Sequence, residues 1–129
     1  MGDRLLPQGE PGPVEKYLFS PDMIMVHQGE IGISDEQREE IIAGVQEAQT
    51  TIMRLQWEMH GAMGQLEQDL KNTHVDEAKI RSTSEKITKI EGEIKLTHLT
   101  MLIRIKNRLS EQQQRQLSDL RLALLPPPR

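Results

Sequence analysis

Nine apolar or small residues, Ile41, Val45, Ala48, Ile52, Leu55, Met59, Ala62, Leu66 and Leu70, follow one another at steps of four and three. That spacing keeps one stripe on the same side of a helix for about eight turns, which no strand or loop can do. A helix from Ser34 to Lys71 would be roughly 55 Å long, too long for an isolated rod with one apolar stripe. It requires a partner helix. Ile80, Thr83, Ile87, Ile90, Ile94, His98, Met101 and Ile105 repeat the spacing after a break at Asn72, Thr73 and His74, with Asp76 as the predicted N-cap. So short a connection between two long helices predicts an antiparallel hairpin. Charge agrees, since Ser34–Lys71 carries eight acids against three bases and Val75–Leu109 carries eight bases against five acids.

Composition points the same way. Tyr17, Phe19 and Trp57 are the only aromatic residues among 129, so a core must be built from Ile, Leu, Met and Val, which suits helix seams better than a sandwich or barrel. The net charge of −4 and the interspersed bases leave no basic stripe for a phosphate backbone, which argues against nucleic acid. The absence of cysteine removes disulfides, thiolate metal sites and cysteine nucleophiles together. No apolar run approaches the roughly 18 to 20 residues of a membrane span, and residues 1–20 lack the apolar core of a signal peptide.

Short helices are expected on both sides of the hairpin. Ser20 and Pro21 form a helix start, Asp22 to Ile31 the body and Gly32 the stop. Ser34 with Gln37, and Ser110 with Gln113, have the spacing of a capping box, in which hydroxyl and amide each satisfy a backbone N–H. The last helix should run from Ser110 to about Leu122, since Pro126 to Pro128 forbid continuation. The organisation read from the sequence is a flexible Pro/Gly-rich lead over 1–19, an all-α, four-helix domain over 20–125, and a Pro-rich tail over 126–129.

The two capping segments, Ile33-Ser34-Asp35-Glu36-Gln37-Arg38 and Leu109-Ser110-Glu111-Gln112-Gln113-Gln114, resemble the LTxxQ motif. That motif occurs twice in a family of small bacterial periplasmic helical proteins, which includes Spy- and CpxP-like chaperones and ZraP- and CnrX-like heavy-metal resistance proteins. Pro21 to Arg38 also resembles the start of the metal-resistance branch, and the similarity spans Ser20 to Leu122. Ser stands for Thr at 34 and 110, and Ile33 for Leu, changes that helix capping tolerates. The resemblance implies a bent hairpin with flanking helices, a homodimer and a periplasmic location; the expected function is metal binding or sensing in heavy-metal resistance and envelope stress signalling, with a membrane-bound partner, and the alternative is ATP-independent chaperoning of unfolded clients.

No phosphate loop, nucleophile elbow or HExxH occurs, so the chain reads as a non-enzyme. Methionine clusters with histidine instead: Met23, Met25 and His27; Met59, His60 and Met63; His98 and Met101. Thioether and imidazole are ligands for Cu(I), and a nearby carboxylate would suit Zn, Ni or Co. Met59 and Met63 read as packing residues, His60 as solvated or partner-facing, and His74 as a loop residue. His98 falls on the expected seam, where a buried imidazole needs a hydrogen-bond partner or a metal. A turn near Asn72 to Val75 would set His98 opposite Ala48 and Gln49, near Glu47, and the short Gly32-Ile33 link returns His27 to that end. His27, Glu47, His98 and Met101 are therefore the candidate set for a transition metal ion (Ni, Co, Zn or Cu), similar to the His/Glu/Met set of the CnrX-like sensors. Those sensors carry two histidines one turn apart on helix one, where this chain has Met23 before His27. Leu96, Leu99 and Ile103 form a second stripe, rimmed by Lys95, Arg104, Lys106 and Arg108, which either receives the flanking helices or binds a sensor or client. A structural coiled-coil adaptor is the plainest alternative.

Overall fold

A computed structural model describes residues 12–124, and every element in them is helical: α1 (Pro13–Tyr17), α2 (Pro21–Val26), α3 (Gln28–Ile31), α4 (Asp35–Leu70), α5 (Glu77–Arg108) and α6 (Glu111–Ala123). The long antiparallel α4–α5 hairpin with short flanking helices is as the spacing predicts. Four helices were expected, and six helical segments occur among the described residues. The expected helix from Asp22 to Ile31 is divided at His27, whose φ of −103° and ψ of 15° leave the helical region. Gly29 lowers the helical bias of the second piece, and each piece is too short to persist without burying a side chain. Ile24 and Ile31 do so.

The predicted caps form. Ser20 Oγ accepts from Met23 N at 3.2 Å, and Pro21 follows at the first helical position, where its missing N–H costs nothing. Asp76 Oδ1 accepts from Ala78 N at 3.0 Å and Lys79 N at 3.2 Å, starting α5. Gly32 closes α3 with φ 68° and ψ 49°, the left-handed conformation that a Cβ makes costly.

The described residues fall into two compact units, 12–41 with 102–124, and 42–101. In the first, Phe19, Ile24, Ile31, Leu102, Ile105 and Leu109 are buried, and Leu117 is fully enclosed. The expected flexible lead is in part folded here. Residues 1–11 lie outside the described residues, but α1 is a helical turn and Phe19 is 2% exposed. Arg121 explains this: Nη1 donates to Lys16 O at 2.7 Å, Nη2 donates to Leu18 O, and the guanidinium lies 4.7 Å from the centre of the Phe19 ring. Burial pushes the Arg121 guanidinium below its ordinary value, and the two carbonyls and the ring face answer its charge. The predicted tail, 126–129, also lies outside the described residues.

The second unit is the stem of the hairpin. From α4, Ala48, Leu55 and Ala62 are buried at intervals of seven, while Val45, Ile52, Met59 and Leu66 are half-buried between them. From α5, Ile87, Ile90 and Met101 are buried and Ile94 is half-buried. The expected place of His98 in this seam is corrected. His98 is exposed and Thr97 takes the position, because the repeat steps by three and then four from Ile94 to Met101. Thr97 tolerates it because its hydroxyl donates to Glu93 O at 2.8 Å.

Two glycine substitutions separate backbone need from mere presence. Gly32→Ala should cost about 1–2 kcal/mol through its left-handed φ. Gly92→Ala, in mid-helix with open space where its Cβ would go, should raise stability by about 0.5–1 kcal/mol. Urea denaturation of both variants measures the difference.

Candidate functional site

The capping motifs do more than start helices. Ser34 Oγ accepts from Gln37 N at 3.1 Å and Gln37 Oε1 accepts from Ser34 N at 3.0 Å; Ser110 and Gln113 repeat this at 3.1 and 2.9 Å. The two glutamine amides then face each other. Gln37 Nε2 donates to Gln113 Oε1 at 2.8 Å, and Gln113 Nε2 donates back to Gln37 Oε1 at 3.1 Å. The remaining hydrogens serve chain ends: Gln37 Nε2 donates to Arg108 O at 2.7 Å, and Gln113 Nε2 to Gly32 O at 3.1 Å and Ile31 O at 3.3 Å. Each amide thus uses both hydrogens and both lone pairs, and the last carbonyls of α3 and α5 are satisfied by the side chains that open α6 and α4. Rotating either amide by half a turn would set donor against donor at the serine N–H and acceptor against acceptor at the carbonyl. Glu40 adds an ion pair to Arg108 at 3.1 Å. Gln113 is only 7% exposed, so this is a structural polar core and a poor place for a ligand to enter.

The four residues singled out for a metal are placed as follows. His27 is half-buried in the first unit, and its Nδ1 lies 3.2 Å from Glu30 Oε1. Glu47 on α4 and His98 on α5 belong to the second unit and are exposed. Met101, three residues beyond His98, is buried in the seam. Among the described residues no group of three or more His, Cys, Asp or Glu side chains is arranged to hold a metal ion.

Sequence reasoning passed over the outer surface of α4. Trp57 is 78% exposed and Met53 is 61% exposed, although both are large and apolar. One open depression is lined by Gln46, Gln49, Thr50, Met53, Arg54, Trp57 and Glu58. A second, sharing Met53 and Trp57, adds Gln56, Met59, His60 and Ile94. The signal was present as a second row at steps of four and three, Gln46, Thr50, Met53, Trp57, His60, Gly64, masked because four of its six members are polar or glycine. Ile42, Met63 and Leu70 are also exposed and share one helical position at multiples of seven, beside the half-buried side of the seam.

No family model, curated protein or solved structure matches the chain.

The amide pair predicts its own chemistry. Gln113→Glu keeps the capping acceptor but replaces a donor with an acceptor facing two carbonyls, and should cost about 2–3 kcal/mol at pH 7. The introduced carboxyl would have a folded pKa above the unfolded value of about 4.3, because only its neutral form can donate. The deficit relative to wild type should therefore be smallest below about pH 4 and grow as pH rises through the raised folded value. Urea midpoints across that range, wild type beside variant, read this directly.

Proposed function

We propose that this chain is a non-catalytic helical protein of the bacterial envelope that binds other polypeptides through the stem of its hairpin, in the manner of an ATP-independent chaperone. One observation carries this reading: Trp57 and Met53 stand exposed side by side on the outer surface of α4 and line common depressions. Single exposed apolar residues need no explanation, but a tryptophan and a methionine on one helical face mark an interaction surface. Met63, Ile42, Leu70 and Leu96 extend the apolar area of the same unit. Methionine and tryptophan suit partners of varied sequence, since thioethers repack freely and the indole offers a large contact area. The envelope location and the chaperone class come from the LTxxQ resemblance of Ser34–Gln37 and Ser110–Gln113. We further propose a homodimer, in which a second copy would cover part of this apolar area.

Metal sensing is the second reading, and the observation favouring it is the His27–Glu30 pair, a half-buried imidazole oriented by a carboxylate. In that case the flanking helices would respond to occupancy and alter contact with a membrane-bound regulator. Among the described residues no helix is long and apolar enough to cross a membrane, so such a partner would supply the membrane link.

The chain, at amounts equal to a denatured client and without nucleotide, should suppress light scattering by aggregating client. A Met53→Ser/Trp57→Ser variant should lose most of that effect while its melting curve stays within about 0.5 kcal/mol of wild type, as exposed substitutions do. Full suppression by the variant would remove the assignment. For the second reading, calorimetric titration with Ni, Co and Zn should give micromolar binding that His27→Ala abolishes; unchanged heats would end it. Static light scattering over a dilution series checks the dimer.

A further inference from the structure

We propose that Met59, His60 and Met63 form a binding site for a soft, monovalent d10 cation, Cu(I) or its analogue Ag(I), on the exposed surface of α4 beside Trp57. The inference does not rest on the polypeptide-binding reading, and the site is separate from the His27, Glu47, His98 and Met101 set.

Helical spacing brings these donors together. Met63 lies four residues after Met59 and three after His60, the two separations at which side chains are neighbours, with Cβ atoms about 5–6 Å apart. Met63 thus stands between Met59 and His60 and neighbours each of them, and the three torsions of each methionine let its sulfur turn toward an ion beside the imidazole. Met59 and His60 line one open depression with Trp57, Gln56 and Met53, so these side chains border common space and Met53 offers a further thioether. Gly61 and Gly64 flank the patch, with nothing within 4 Å of where a Cβ would stand at either. His60 itself is exposed and free to turn.

The donor set selects the ion. It holds no carboxylate or thiolate and is rich in sulfur, which favours soft cations over Zn, Ni or Co, for which imidazole is ordinarily joined by carboxylate or thiolate. The residues three and four away from His60 on both sides are Gln56, Trp57, Met63 and Gly64, none of them acidic. Glu67, one turn beyond Met63, is paired with Lys71 at 3.7 Å. Trp57, three residues before His60 and 78% exposed, presents an indole face that attracts a cation.

Trp57 is also the only tryptophan, which makes the experiment direct. Ag(I) added as silver nitrate in chloride-free buffer to the full chain should quench tryptophan fluorescence and saturate at one equivalent. Cu(I), added anaerobically, should do the same, and Zn(II) at equal concentration should not. His60→Gln and Met63→Leu, both at exposed positions, should each weaken the Ag(I) response at least tenfold, with helical circular dichroism unchanged. Met59→Leu, which preserves packing in the seam, should act likewise. His27→Ala and His98→Ala should leave the response as in wild type. A wild-type response from the His60→Gln/Met63→Leu double variant, a response without saturation that scales with the seven methionines, or equal quenching by Zn(II) would overturn the proposal.

Discussion

The reciprocal amide pair between Gln37 and Gln113 is the contact on which the end of the hairpin depends. Four chain segments meet there: the end of α3, the start of α4, the end of α5 and the start of α6. Each would otherwise leave backbone groups without partners. Two neutral amides perform this task better than an ion pair, because no charge has to leave water and every donor meets an acceptor. The requirement is also more selective than ordinary capping. An ionised glutamate can complete a capping box, but it has no hydrogen to donate to a carbonyl while it receives from a serine N–H. The near-repeat of the two motifs is then a matter of symmetry: each glutamine supplies to the other what it needs itself.

The stem obeys a different economy of surface. A two-helix seam encloses only its central row, here Ala48, Leu55 and Ala62, while the flanking row of Val45, Ile52, Met59 and Leu66 stays partly open. Two helices alone cannot cover all of that surface, and the apolar groups beside it follow from the same shortage of layers. The proposed polypeptide binding, dimerisation and soft-metal binding would all draw on this one circumstance.

Much of the backbone plan was legible because it rests on local rules. The steps of three and four set the hairpin, and Ser20, Gly32, Asp76 and Ser110 mark helix boundaries through short-range hydrogen bonds that any sequence reader can count. The errors have a common origin. His98 was assigned to the seam because a step of four from Ile94 is as good as a step of three, and only the packed partner decides for Thr97. The folded state of Phe19 depends on Arg121, separated by nearly the whole chain, and no local pattern announces such a pair. Gln37 and Gln113 were recognised as caps for the same reason that their mutual contact was not: the first role is three residues long and the second spans 76. Trp57 was legible as an aromatic but not as an exposed one, since exposure is decided by the absence of a neighbour.

The separation between Leu18 and Arg121 also governs the order of events as the chain is made. The stem closes a short turn and gathers contacts near in sequence, which form early. The knot of glutamines joins residues 76 apart, and the guanidinium grip on the Leu18 carbonyl spans 103. Both must wait until the last helix has emerged from the ribosome. Until then Phe19, Ile24 and Ile31 lack their cover, so the nascent protein is itself, for a time, an unfolded client.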